Sequence, residues 1–381
     1  MTAGNTDISA LEFGVGSFAF ETFPAGEDND NAWEDRVRAL LESIPTVRDV
    51  QFSNVETFRV ARTAMDGNWE SDGVLLTPHP WSGSLSFHIT IPARIQRELA
   101  DKMGGGPIFE GRESFFVITY FADFPATYVF VEGEASPNPY GSQAVAIVRR
   151  FLDDEVKRYR SDDSIEFSFI GPSPFPCDFL LKPSTESDQM KAPYLLQRTP
   201  REGHDEITLT YDSARYNSAF AAMPTVCRRL AGELAYFYEC ARKRERRIRI
   251  IFRLRSETER LMAITIQRGW GRAMVRFFKS RKLIRNLSLD LILADYECRE
   301  EEQAERDGLD RSAEIFSGLF NRETSKEIKD SRVPEIENLD KIVELISSRQ
   351  RRGVDITMLL ITSLLGGIIG SVLTIIFTSN S

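Results

Sequence analysis

Apolar residues in the first 170 positions follow two different periods. One set recurs every three or four residues, as on the buried face of a helix: Trp33, Val37, Leu40, Leu41 and Ile44. Another set alternates with polar residues, as in a strand with one solvated face: Leu85, Phe87, Ile89 and Ile91. Similar runs predict strands at 11–20, 47–52, 114–121, 126–133 and 165–169, and a second helix around 145–156. The pattern predicts an α+β domain over residues 1–170.

The pattern changes after residue 170. Residues 171–204 are rich in proline and polar side chains, which predicts a linker. Residues 205–297 are predicted as a second, basic domain, with strand-like runs at 206–211, 246–255 and 287–297 and helical periods between them. This β-α-β-α-β order favours an α/β domain with parallel crossovers. The last run also fits a helical period, so a domain of long helices is the alternative.

The C-terminal part of the chain is predicted to lead to a membrane. Residues 298–333 are polar and acidic, which predicts an acidic linker with exposed helix, and an apolar heptad over 334–355 predicts a juxtamembrane helix. Residues 356–377 carry no charge, and as a helix they would reach about 33 Å, close to the roughly 30 Å hydrocarbon core of a bilayer. Arginines precede this segment, so the positive-inside rule puts the N-terminal portion in the cytoplasm. The sequence thus predicts a single C-terminal transmembrane helix in a tail-anchored, single-pass membrane protein.

Small and hydroxyl-bearing residues mark one side of the predicted transmembrane helix. They are Thr357, Gly366, Gly367, Gly370, Ser371 and Thr374. Small residues at a four-residue spacing let helix backbones approach closely inside a bilayer. Three interpretations stay open: these residues are merely tolerated in the helix, they pack a homo-oligomer, or they line a water-filled pore.

Charge is strongly segregated along the chain. Its net charge is −9, yet residues 228–285 contain 18 Lys and Arg against 5 Asp and Glu. Arginine forks beside stackable aromatic rings suit a nucleotide or a single-stranded oligonucleotide. The candidate ligand-binding residues are Arg242, Arg246, Arg247, Arg249, Arg253, Arg268, Trp270, Arg272 and Arg276. Three other partners remain open for this stretch: the acidic remainder of the same chain, anionic lipid head groups, and a partner protein.

Catalytic and metal-binding motifs are not found in the sequence. The four cysteines form no CxxC pair and the chain has three histidines, so no metal site, disulfide framework or cofactor is predicted. The stretch from Gly106 to Glu113 has Arg112 where a P-loop has lysine. The sequence therefore predicts a protein that is not an enzyme, although an enzyme of unrecognised type is a third hypothesis.

The order of these segments resembles the membrane-anchored effectors of bacterial antiphage signalling systems, in which a cytosolic sensor precedes a juxtamembrane helix and a membrane segment. This resemblance implies an oligomeric, ligand-gated transmembrane effector or ion channel that senses a nucleotide or oligonucleotide in antiphage defence. The expected partners are the lipid bilayer, further copies of the chain and the phosphate-bearing ligand. The alternative is a tail-anchored membrane adaptor that tethers cytosolic partners.

Overall fold

The computed structural model of the chain describes residues 10–22, 32–62, 75–103, 114–121, 124–131, 141–160, 165–169, 175–184, 194–200, 205–266, 273–315, 318–329 and 333–349. The chain divides into two compact units. The first, called the sheet unit, contains the described residues up to Arg242 together with Ser312–Thr324. The second, called the helical unit, contains Lys243–Arg311 and the described residues from Ser325 onward.

An eight-stranded mixed sheet forms the centre of the sheet unit, with the strand order β3-β4-β5-β6-β1-β8-β10-β9. Neighbouring strands are antiparallel except for β8 and β10, which are parallel. A separate two-stranded sheet pairs β2 with β7. The strands are β1 (Leu11–Gly16), β2 (Phe18–Thr22), β3 (Val47–Arg62), β4 (Leu75–Ile89), β5 (Ser114–Phe121), β6 (Phe124–Val131), β7 (Ile165–Phe169), β8 (Cys177–Pro183), β9 (Tyr194–Thr199) and β10 (Asp205–Tyr211).

One face of the large sheet packs against helices α1 (Ala32–Ser43), α2 (Ala93–Lys102) and α3 (Gly141–Tyr159). Helix α1 forms where the sequence predicted it, and its apolar positions are buried. Its Trp33 also donates an indole hydrogen bond of 2.7 Å to the carbonyl oxygen of Phe20 in β2. Helix α3 lies close to β1, because a Cβ on Gly14 would stand only 2.1 Å from the carbonyl oxygen of Gly141. Glycine at both positions therefore permits the close approach.

The other face of the sheet is covered by the first half of helix α4 (Ala219–Ile266). Because successive side chains of a strand point to opposite faces, β6 sends Tyr128 and Phe130 towards α4 and Val129 and Val131 towards α3. The Tyr128 hydroxyl donates a 2.8 Å hydrogen bond to the carbonyl oxygen of Cys227 in α4. Strands β5 and β6 are thus buried on both faces, as expected for the centre of a three-layer domain.

The helical unit is built from the second half of α4, from α5 (Ala273–Ile315), and from a last helix, α7, over residues 333–349. A shorter helix, α6 (Asn321–Lys329), precedes α7. Buried residues of the three longer helices share one apolar cluster: Ile251, Leu254 and Leu261 of α4, Leu287, Leu291, Ala294 and Cys298 of α5, and Val333, Ile336 and Val343 of α7. Their spacing of three and four residues is that of helices packed side by side.

The structure differs from several sequence-based predictions. The predicted linker, residues 171–204, contributes β8 and β9 to the large sheet, so β10 continues the first domain rather than opening a second. The runs 246–255 and 287–297, which were predicted as strands, lie inside α4 and α5. In the acidic segment 298–333, the exposed helix that was predicted beside a linker is present as the end of α5 and as α6. Each of these runs gains its partner from a distant part of the chain, which local alternation does not reveal.

The predicted transmembrane architecture requires correction. Within the described ranges, every helix is either too short or too polar to traverse a bilayer. The segment predicted to do so, residues 356–377, lies outside those ranges, as do its marked positions Thr357, Gly366, Gly367, Gly370, Ser371 and Thr374. The predicted single C-terminal transmembrane helix, and with it the tail-anchored single-pass topology, the membrane location and the ion channel, thus have no counterpart among the residues that the structure describes.

Candidate functional site

The candidate site lies on the part of α4 that belongs to the helical unit. Its buried side has a heptad spacing, with Arg247, Ile251, Leu254, Thr258 and Leu261 all nearly inaccessible to solvent. Residues about half a turn away from this buried side point into solvent. They form a surface that we call the basic face: Arg246, Arg249, Phe252, Arg253 and Arg260.

Two of the predicted arginines are already occupied by glutamates of α5. Arg246 contacts Glu297 at 3.1 Å and Glu301 at 3.3 Å, with more than half of its side chain exposed. Arg247 is buried and contacts Glu301 at 3.3 Å and Glu305 at 2.9 Å. The interpretation that the basic stretch binds an acidic part of the same chain therefore applies to these two residues.

Burial by itself shifts the pKa values of Arg247 and Glu305 in opposite directions. Burial disfavours the charged guanidinium of Arg247, but the hydrogen bond and the charge of Glu305 outweigh it, so the pKa of Arg247 is raised. Burial raises the pKa of Glu305 above its ordinary value, against the opposing effect of Arg247. This pair holds α4 against α5 and thereby fixes which side of α4 faces solvent.

Arg249 and Arg253 remain exposed on the basic face. They are one helical turn apart, about 6 Å along the axis, and the ring of Phe252 beside them is 64% exposed. Between residues 246 and 260 the helix carries six arginines and two glutamates. Two guanidinium forks beside an aromatic ring can engage phosphate oxygens while a base stacks on the ring.

The other predicted ligand residues are Arg242, Arg268, Trp270, Arg272 and Arg276. Arg242 belongs to the sheet unit, where its guanidinium lies 4.4 Å from the ring centroid of Phe124. Arg268, Trp270 and Arg272, and the side chain of Arg276, lie outside the described part of the chain. Phe252 and Arg260 were missed as site residues, although a helical projection of 246–260 would have placed both beside Arg249.

A reactive thiolate and a bound metal are two other kinds of site chemistry. All four cysteines are buried and unbridged. Burial raises the pKa of Cys177 to about 12 and that of Cys298 to about 11, so neither thiol is ionised near neutral pH. No group of three or more metal-ligating side chains occurs among the residues that the structure describes. The exposed side chains that define the basic face are four arginines and one phenylalanine.

Comparison of the chain with protein-family models, with curated proteins and with solved structures gives no match. None of these comparisons tests the resemblance to membrane-anchored antiphage effectors, which stays a prediction.

Proposed function

We propose that the protein is a sensor that binds a phosphate-bearing ligand, a nucleotide or a short single-stranded oligonucleotide, on the basic face of α4. The observation that carries this proposal is the exposed ring of Phe252 next to Arg249 and Arg253. An exposed phenylalanine gains nothing from solvent, whereas stacking of a base on an aromatic side chain contributes about 1–3 kcal/mol. The neighbouring guanidinium groups supply the charge that a phosphate requires.

The arrangement of charges supports the same proposal. Arg247 is neutralised by Glu305 inside the helical unit, so it orients the helix and leaves the outer arginines for a ligand. Arg246 is held by an exposed ion pair, and exposed pairs contribute only about 0–1 kcal/mol. A phosphate could therefore displace Glu297 from Arg246 at little cost. The basic face from Arg246 to Arg260 is about 21 Å long, which accommodates a few nucleotides.

Fluorescence anisotropy with a fluorescein-labelled oligothymidylate tests the proposal on the full-length protein. The variant R249E/R253E removes two charge-assisted contacts of about 1.5 kcal/mol each, so its Kd should rise about 100-fold. The slope of log K against the logarithm of the salt concentration should also become less steep by about 1.4, because two phosphate contacts disappear. Competition with a mononucleotide then tells whether one base is sufficient.

A matched control changes the same amount of charge away from the face. Arg94 and Lys102 are exposed on α2 in the sheet unit, so R94E/K102E has the net charge of the test variant. The control should bind the oligonucleotide nearly as the wild type does. Equal loss of affinity in both variants would reduce the binding to net charge alone, and unchanged affinity of R249E/R253E would exclude the basic face as the site.

A second candidate function is that of an adaptor for other protein chains. It is favoured by a different observation, an exposed apolar stripe on α5. Large solvent-exposed apolar patches commonly mark protein interaction sites. An adaptor without ligand binding predicts that R249E/R253E leaves every property of the protein unchanged, whereas the sensor proposal predicts loss of oligonucleotide binding.

A further inference from the structure

Helix α5 is apolar on two opposite sides. Its inner side contributes Leu287, Leu291, Ala294 and Cys298 to the core of the helical unit. On the outer side four large residues are half exposed or more, and we call them the α5 stripe: Leu289 (58%), Ile292 (64%), Leu293 (50%) and Tyr296 (58%). A helix that contacts only one neighbouring layer needs one apolar side, so the α5 stripe calls for a second partner.

The spacing of the stripe indicates the kind of partner. Its members stand at positions i, i+3, i+4 and i+7, which is the pattern of a seam between two helices packed lengthwise. Isolated exposed leucines are ordinary, but four adjacent large side chains at this spacing form one continuous patch. A partner helix would cover all four at once.

Along α5, the segments before and after the stripe carry net charges that are equal in size and opposite in sign. The midpoint of the stripe falls between Ile292 and Leu293. The eleven residues 278–288 carry four Lys or Arg and no acid, a net charge of +4. The eleven residues 297–307, at the same distance on the other side, carry six Asp or Glu and two Arg, a net charge of −4. Glu297, Glu301 and Glu305 already pair with arginines of α4, so Glu300 and Asp307 are the exposed acids that this segment offers on the side of the stripe.

We propose that the α5 stripe binds the α5 stripe of a second copy of this chain, with the two helices antiparallel about a two-fold axis at the Ile292–Leu293 midpoint. A two-fold axis places each residue opposite the one at the same distance beyond the midpoint. Leu289 then packs on Tyr296 of the second copy, and Ile292 on Leu293. The overlap from 278 to 307 is about 45 Å long, enough for a continuous helix pair.

The ends of this pairing are matched in charge. Arg285 and Glu300 lie on the same side of α5 as the stripe, and the two-fold axis puts Arg285 opposite Glu300 of the second copy. Both are exposed, and the Glu300 carboxylate already accepts the hydroxyl hydrogen bond of Tyr296. A parallel pair would instead stack basic end on basic end, which like-charge repulsion disfavours. The charges thus favour a second copy in the antiparallel orientation, independently of any ligand on α4.

Sedimentation velocity of the full-length protein with a charge-exchange series tests the interface. The wild type should sediment at twice the 43.3 kDa mass of one chain. R285E and E300R should each dimerise more weakly and sediment closer to the mass of a single chain, because each places two like-charged pairs in the interface. R285E/E300R should recover the dimer. An equimolar mixture of R285E and E300R should also dimerise, because every pair in that heterodimer is again of opposite charge.

A control and a measure of folding complete this experiment. Lys341 is exposed on α7, so K341E makes the same charge change as R285E outside the stripe and should remain dimeric. Circular dichroism should show equal helix content in all variants. A single-chain mass for the wild type would overturn the proposal. So would an unchanged dimer in R285E and E300R, since association would then occur through another surface, or a mixture of the two variants that stays monomeric.

Discussion

Removal of Arg247 should destabilise the helical unit far more than removal of any exposed arginine on α4. Its side chain is 1% exposed, and its Nη1 atom donates to Glu305 at 2.9 Å and to Glu301 at 3.3 Å. The Glu305 side chain is fully buried. Arg247→Met keeps most of the aliphatic volume but removes the guanidinium group that pairs with the buried Glu305 carboxylate. Loss of one member of a buried pair costs about 3–5 kcal/mol.

The double variant separates the charge from the packing. In R247M/E305L both charged groups are replaced by apolar side chains of similar size, which is commonly neutral or stabilising by about 1–4 kcal/mol. The free energy of opening should therefore be close to wild type in the double variant and much lower in R247M. This non-additive result is the signature of a buried ion pair in direct contact.

The decrease in the free energy of opening caused by R247M should also depend on pH. The pKa of Glu305 is already raised by burial, and removal of Arg247 takes away the hydrogen bond and charge that oppose that shift. A carboxyl group whose folded pKa exceeds its unfolded value binds more protons in the native state, so stability falls as pH rises through that interval. The deficit should accordingly be smaller near pH 4 than near pH 8.

Hydrogen exchange of the amides of residues 251–261 is the appropriate assay, because a chain with two compact units need not unfold in one step. Exchange at pH-corrected rates gives the free energy of local opening of α4. Arg253→Met, an exposed neighbour, is the control and should change that free energy by less than about 0.5 kcal/mol. A deficit of R247M no larger than that of the control would refute this reasoning, and so would an equal deficit in R247M/E305L.

Three further predictions concern parts of the fold away from the basic face. Gly14→Ala should lower the free energy of unfolding, measured by urea titration, by about 3 kcal/mol. The reason is that the new Cβ would lie 2.1 Å from the carbonyl oxygen of Gly141, and wild-type stability of the variant would contradict this close approach. Native protein at pH 8 should resist thiol labelling by Ellman's reagent, since Cys298 is buried with a pKa of about 11, and rapid labelling would contradict its burial. Arg198→Met should lower the free energy of unfolding by about 3 kcal/mol, because the buried Glu323 carboxylate loses the guanidinium group of Arg198. The Tm should fall accordingly, and a Tm unchanged from wild type would contradict that role.

The sheet unit was the more predictable part of the protein, because its local patterns agree with its tertiary contacts. Helix α1 and strand β5 form where periodicity predicted them. The region around β8 was assigned to a linker because of its prolines. Yet Phe179 and Leu181 alternate within it, and both are buried between α4 and the sheet. The pairing of β8 with β1 and β10 joins distant segments, and no local pattern encodes it.

The helical unit was misread because two of its helices carry apolar residues at strand-like spacing. Leucines at 287, 289, 291 and 293 alternate with other residues as in a strand. In the structure Leu287 and Leu291 face the core, whereas Leu289 and Leu293 belong to the α5 stripe. A two-sided helix thus imitates the period of a strand. Similarly, alternation of Arg and Ile in 246–255 concealed a heptad with a charged residue at a buried position.

The sequence predicted the candidate site as a positively charged stretch, but it did not predict which of its arginines are exposed and available to a ligand. The excess of arginine in 228–285 is plain in the sequence. Which arginines are neutralised depends on the position of Glu297, Glu301 and Glu305 along α5, some fifty residues later. Only the packing of the two helices distinguishes Arg247, which is buried, from Arg249, which is exposed.

Photocrosslinking of a 5-iodouracil-containing oligonucleotide tests the proposed ligand site most directly, because the excited base couples to an aromatic ring stacked on it. Trypsin cuts after Arg249 and Arg253, and the resulting peptide 250–253 has Phe252 as its one aromatic residue. Mass spectrometry should find the nucleotide adduct on this peptide, and Phe252→Leu should abolish it. An adduct confined to peptides outside residues 246–260 would contradict the assignment of the basic face as the ligand site.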